Sequence, residues 1–288
     1  MADLELLELL DDELYHQDTS HISASGLKVL AQSPAHYWSR YRDPHREPRK
    51  ETDALRIGKA VHCCALEPDK FAERYVRLDD EINLRTKVAR EYRDEVLASG
   101  RVPLKAEEYD RVMLIASVMR KHPVWPAWMT GGHAEHLITW VDEETGVKCK
   151  MRADYLLTPE QGELIGLPVG LIPDLKTCRD ARSFPRDAWN LGYHIQAAFY
   201  RRGYQAHFGT YDPPPFAFLA FEKEAPFAGI PYPAGPEFLD AGDREVSRLL
   251  RLFADCEESG DWPAYAPDLV YLEPPAWAKR EMEASSYE

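Results

Sequence analysis

The sequence predicts an α/β (α+β) protein, and three observations carry that expectation. Segments 134–141, 148–157 and 171–177 are short, apolar-rich and read as strands, whereas 52–67 and 188–207 carry the 3.6-residue spacing of helices. The 288 residues are 44% hydrophobic and 11% aromatic, which is enough to close a substantial core.

Taken in chain order, 134–141 reads as a strand ahead of the turn 142–146, and KCKMRADYLL (148–157) as a strand that forms a hairpin with the one after the next connection. The Gly- and Pro-containing stretch 158–170 reads as a long connection, with 163–170 resembling an insertion. The next strand is LIPDLKT (171–177); Pro173 removes a backbone donor there, so that part of the ladder is expected at an edge or to be irregular. Residues 1–20 are acidic and read as a short amphipathic helix or a mobile end, with Leu4, Leu7 and Leu10 near helical spacing. Segment 80–93 reads as a charged helix or an arch over a ligand. From Trp262 the chain holds Pro263, Pro267, Pro274 and Pro275, so it is expected to wrap the domain in extended form. The division expected is 1–20 as a terminal segment, 21–275 as one domain and 276–288 as a tail.

The chemistry concentrates between Met151 and Tyr200. Residues two apart on a strand share a face, so Asp174 and Lys176 lie side by side while Leu175 points into apolar packing. Asp154, on the preceding strand, can then meet Asp174. Two facing carboxylates repel unless a cation lies between them, and hard oxygen ligands suit Mg²⁺ or Mn²⁺. A lysine two residues from such an acid can orient or help deprotonate a water and offset charge on a phosphate. His62 lies one helical turn after Gly58 and is a candidate metal ligand. Gln196 and Tyr200 are i and i+4 on one helix face, where an amide and a phenol can hold a phosphate or a base edge. Glu135 precedes the Asp154 strand and can border the metal site.

These residues resemble the RecB-like branch of the PD-(D/E)XK nuclease superfamily, most closely the RecE-type nuclease domain of prophage exodeoxyribonuclease VIII. The opening HISASGLKVLAQSPAHYW, the helix IGKAVHCCALEPDKF, and RADYL, DLKTC and HIQAAFYRRGY carry the likeness. It implies a PD-(D/E)XK restriction-endonuclease-like core, a central mixed β-sheet flanked by helices. It also implies His62, Asp154, Asp174 and the backbone carbonyl of Leu175 as metal ligands. Lys176 becomes the catalytic lysine, with Asp174, Asp154 and Glu135 as its acidic partners. Gln196 and Tyr200 fill the Gln-x-x-x-Tyr motif, and Lys59, Arg152, Thr177 and Arg201 join them in contacting DNA phosphates. Ala153 stands where the superfamily often has proline, and the acid that matches the first motif is Asp154, not the one in Pro173-Asp174.

The function expected is a Mg²⁺-dependent exodeoxyribonuclease on linear double-stranded DNA with free ends, with Mn²⁺ as a substitute. The resemblance adds 5′-to-3′ polarity, a role in phage or prophage recombination, a ring-like homo-oligomer and a single-strand annealing recombinase as partner. A structure-specific or single-strand endonuclease and a non-catalytic DNA-binding scaffold are the alternatives. The net charge of −14 opposes nucleic-acid binding as a sum. Acids concentrate at the two ends, however, and basic residues crowd 40–59, 85–93 and 179–202, so a basic channel is expected through the middle of the chain. Five scattered cysteines fit a reducing compartment, and the cytoplasm is the expected location. Cys256 alone lies beyond Cys178, so no iron-sulphur cluster is expected. No stretch approaches the ~18 apolar residues of a membrane span, and no membrane partner is expected.

Overall fold

The computed structural model describes residues 15, 18–47, 52–78, 87–265 and 269–285. The acidic stretch 1–14, the first part of the expected arch at 80–86, and Pro267 lie outside them. In chain order the elements are α1 (Ala24–Leu30), α2 (Pro34–Tyr37), α3 (Asp53–Leu66), α4 (Pro68–Arg74), β1 (Tyr75–Arg77), α5 (Lys87–Ala98), β2 (Val102–Leu104), α6 (Ala106–Lys121) and α7 (Trp125–Trp128). They continue with β3 (His133–Val141), β4 (Lys148–Leu156), α8 (Pro159–Glu163), β5 (Ile172–Cys178), α9 (Phe184–Asn190), α10 (Tyr193–Phe208), β6 (Phe216–Glu222), β7 (Gly229–Pro233), α11 (Pro236–Ser259) and α12 (Ala276–Ser285).

The sheet is mixed and split. β3 and β4 form an antiparallel pair, while β5 runs parallel to β6 and β6 antiparallel to β7. The two pieces meet at β4 and β5, joined by an antiparallel bridge between Leu157 and Leu171. Beyond that bridge the ladder stops, and Pro173 accounts for the gap. The Ile172 N–H donates toward β6, to the Pro215 carbonyl, whereas those of Leu171 and Leu175 point to β4. Pro173, between these last two, faces β4 with no N–H to give. The Leu175 N–H donates instead to the Asp154 carboxylate at 2.8 Å. The irregularity expected of Pro173 is thus the point where a side chain enters the sheet. A small separate parallel pair, β1 with β2, lies on the α3–α6 side.

Alternation sorts β4 into two faces. Cys149, Met151 and Ala153 are fully buried against α10 and its neighbours, so Lys150, Arg152 and Asp154 share the opposite face. α10 approaches closely because Gly203 lacks a side chain: a Cβ there would stand 2.7 Å from the Trp140 ring and 3.0 Å from Met151 Sδ. Gln196, Tyr200 and Gly203 fall on one face of the helix at i, i+4 and i+7, so this contact also presents the first two to the strands.

The helix expected over 188–207 is two helices. Gly192 takes φ +67, a left-handed conformation that breaks the chain between α9 and α10. α3 matches expectation closely; Thr52 caps it by accepting from the Leu55 N–H at 3.3 Å, a contact worth about 1 kcal/mol. The 158–170 connection holds α8, opened by a Thr158/Gln161 capping box. At the far end, Trp262 stacks on Tyr37 at 5.5 Å and the Pro263 carbonyl accepts from Ala35 N–H, so the tail's first residues do lie along the domain. Residues 269–272 are exposed, and α12 follows. All five cysteines are buried and free. Among the described residues no helix is long and apolar enough to cross a membrane.

Candidate active site

The site gathers where β4 and β5 part. Glu135 lies directly across the β3–β4 ladder from Asp154, because its neighbours pair as Ala134 with Tyr155 and His136 with Ala153. Like charges facing each other across a ladder repel. Glu135 also takes φ +49, a left-handed conformation costing a non-glycine residue about 1–3 kcal/mol. His62 comes in from α3, with Nδ1 3.4 Å from Asp154 Oδ2. One ligand atom from each of His62, Glu135 and Asp154 falls within 4.8 Å of the others. A strained backbone that brings two carboxylates and an imidazole to one point fits a divalent cation, which would relieve their repulsion.

Asp174 is not in that group, which is a departure from the ligand set expected. It is 1% exposed, and both carboxylate oxygens are already engaged: Lys176 Nζ pairs with Oδ2, and Gln196 Nε2 donates to Oδ1 at 2.7 Å. Leu175 sends its N–H to Asp154, and its carbonyl, on the same strand edge, also faces β4. Leu175's side chain is fully buried on the other face, as alternation requires.

The electrostatics follow from crowding. Burial and the Asp154 charge push Glu135 up to about 7, against the pull of Arg152. Burial likewise raises Asp174 to about 6, with Lys176 opposing and Asp154 adding to the rise. Asp154 goes the other way: burial works against its charge, yet His62, Lys176 and the Leu175 N–H hold it down at about 2. Burial disfavours the Lys176 cation too, but Asp174 and Asp154 outweigh it and raise its pKa. His62 is raised by Asp154 despite burial. Without a bound cation, Asp174 and Asp154 thus hold Lys176 as an ammonium.

The remaining expected residues divide. Arg152 pairs with Glu135 at 3.0 Å and lies 4.9 Å from the Tyr15 ring, so it stands at the site. Gln196 holds the Asp174 carboxylate instead of projecting toward a phosphate. Tyr200 donates to the Arg152 carbonyl at 3.0 Å, so its phenol braces β4 from the helix side. Arg201 points elsewhere: its Nε donates to the Pro214 carbonyl at 2.8 Å, with Asp243 at 4.0 Å. Thr177 is half-buried in β5, paired with Phe221, and Lys59 is half-buried on α3. Gly58 has open space around it, so no protein group uses the room it leaves near His62.

Of the basic residues expected along a channel, Arg49, Lys50 and Arg85 lie outside the described residues. Arg42, Arg56, Arg93, Arg182, Arg186 and Arg202 are all matched by nearby carboxylates. Two residues not anticipated stand beside Lys176: Tyr193, whose ring centre is 5.0 Å from Lys176 Nζ, and Lys28, 5.1 Å from the same ring. The signals were slight. Lys28 sits inside the opening phrase HISASGLKVL, and Tyr193 follows the glycine that breaks the helix.

The comparisons bear on this arrangement. A crystal structure from Eubacterium rectale, described as a "putative exonuclease", superposes with a TM-score of 0.60 over 94% of this chain and 97% of that one, at 16% identity; this likeness is one of fold. A second solved structure, SSO0001, aligns with a TM-score of 0.35 at 12% identity, over 87% of this chain and 81% of that one, and carries no weight. No curated protein matches the sequence. Residues 23–273, which hold every residue of the site, match the family described as "PDDEXK-like domain of unknown function (DUF3799)". The chain belongs to this PDDEXK-like family.

Proposed function

We propose that the protein is a divalent-metal-dependent deoxyribonuclease, an exonuclease that hydrolyses linear double-stranded DNA with Mg²⁺. The observation that carries the reading is the convergence of His62, Glu135 and Asp154 within 4.8 Å, next to a Lys176 cation locked on Asp174. Membership of a PDDEXK-like family supports it, and so does a fold shared with a protein described as a "putative exonuclease".

His62, Glu135 and Asp154 would hold the cation, which supplies positive charge to a phosphoryl oxygen and to the leaving oxygen. Mn²⁺ would substitute, since one of the three donors is an imidazole nitrogen. The chain's own groups do the rest. Lys176 faces the phosphate as an ammonium and offsets the charge that builds on its oxygens, with no reorganisation because Asp174 and Gln196 already fix its position. Hydrolysis forms one P–O bond to water and breaks one P–O bond of the backbone. The water's proton leaves to solvent as the new P–O bond forms, since Glu135 and Asp154 would be committed to the cation and Lys176 is paired with Asp174. Arg152, paired with Glu135, keeps that carboxylate turned into the site.

Polarity from 5′ to 3′, a place in phage-type recombination, a ring-like oligomer, a recombinase partner and a cytoplasmic setting remain parts of the proposal drawn from the RecE-like sequence motifs. Digestion of end-labelled linear and covalently closed circular duplexes tests it. Metal-dependent loss of the linear form alone supports the exonuclease, and the end released reports polarity. Cutting of the circle replaces it with an endonuclease on the same core.

A further inference from the structure

Lys28 occupies the last turn of α1, and packing fixes its path. A Cβ at Gly192 would meet Lys28 Cγ and Cδ at 3.1 Å, so the stem lies along the turn that opens α10. Its ammonium then reaches the Tyr193 ring, 5.1 Å from the centre, while Lys176 Nζ is 5.0 Å from that centre. Two ammonium groups thus converge on one aromatic ring. They differ in what balances them. Lys176 has Asp174, whereas no carboxylate of the described residues forms an ion pair with Lys28. Burial and the like charge of Lys176 work against the Lys28 cation and, with Asp174 opposing, bring its pKa down to about 8.

Arg42, Arg56 and Arg202 differ, each forming an ion pair with a carboxylate. A half-buried cation with a pre-set stem, a ring that attracts cations, and no ion-pair partner among the described residues, the more distant Asp174 being already held by Lys176 and Gln196, is arranged to receive an anion. We propose that Lys28, positioned by Gly192 and Tyr193, binds a phosphate oxyanion of the substrate strand beside the one that is cut. The inference rests on the nuclease reading and deepens it: the cleft holds two phosphates, one at Lys176 and one at Lys28. The oxyanion can belong to an internal phosphodiester or to a terminal phosphate, which share this chemistry.

The test uses the full chain, with Lys28→Met keeping the stem and Lys28→Arg restoring the charge. Affinity for a fluorescent duplex is measured in EDTA across a salt series, with 5′-phosphorylated and 5′-hydroxyl ends, alongside thermal melting. Lys28→Met is expected to lower low-salt affinity about tenfold and to make the log K against log salt slope shallower by about 0.9. Melting is expected to stay unchanged, and Lys28→Arg to restore both slope and affinity. Loss with either end assigns an internal phosphodiester; loss only with phosphorylated ends assigns the terminal phosphate. An unchanged slope in Lys28→Met, or lowered melting that Lys28→Arg does not recover, overturns the inference while wild-type cleavage leaves the nuclease reading standing. Wild type that neither binds nor cuts DNA overturns both.

Discussion

Replacing Glu135 by glutamine separates charge repulsion from metal holding. Glu135 moves from its ordinary 4.5 up to about 7, through burial and the facing Asp154. A carboxyl with a higher pKa folded than unfolded keeps its proton better in the folded chain. Its contribution therefore favours folding below about 4.5 and is lost as pH rises through about 7. The difference corresponds to about 3 kcal/mol as an upper bound, since Arg152 pairing is lost with the charge. Without metal, Glu135→Gln is expected to match wild type at pH 5 and to exceed it at pH 8. A gain of that size is about 6 °C in Tm for a chain of this length. Thermal unfolding in EDTA at both pH values reads the first part, and repetition in Mn²⁺ reads the second. The cation should stabilise wild type by mass action and the variant much less, because one ligand oxygen is gone. An equal Mn²⁺ effect on both proteins, or no pH-dependent gain in EDTA, refutes the reasoning.

Other substitutions probe the frame around the site. Gln196→Leu removes the donor to Asp174 Oδ1 and is expected to cost about 1–3 kcal/mol in denaturant unfolding, with a fall in kcat and little change in KM. Gly203→Ala forces a Cβ to 2.7 Å from Trp140, so about 1–3 kcal/mol of stability and part of the activity should go together. Gly58→Ala meets nothing within 4 Å and lies inside α3, so it should raise stability by about 0.5–1 kcal/mol. A lower Tm for Gly58→Ala would show that the space near His62 is not open.

The parts legible in the sequence are those set by local rules. Alternation placed Asp154, Asp174 and Lys176 on strands with Leu175 turned away, and helical spacing placed His62 and the Gln196/Tyr200 pair. Pro173 marked the break in the ladder, because a missing N–H is a property of one residue. What stayed hidden depends on partners far along the chain. Arg201 and Arg202 look like free cations in sequence, yet Pro214 and Asp243 claim them in the fold. Glu135 enters the metal group through a left-handed backbone that no spacing rule gives a glutamate. Asp174 pairs with Lys176 and accepts from Gln196, contacts that depend on the fold bringing β5 and α10 together. The Gly192 break shifted the start of α10, since a single glycine inside a helical pattern is often tolerated.

Lys176→Met, which keeps the stem and removes the ammonium, bears most directly on the catalytic site. Cleavage of linear duplex DNA and binding of the same duplex are measured together, in Mg²⁺ and in EDTA. Wild type should cut only with Mg²⁺, and Lys176→Met should lose about 10²-fold or more in kcat while still binding DNA. Full cleavage by Lys176→Met, or wild-type cleavage in EDTA, would contradict a metal-dependent site built on His62, Glu135, Asp154 and the Asp174–Lys176 pair.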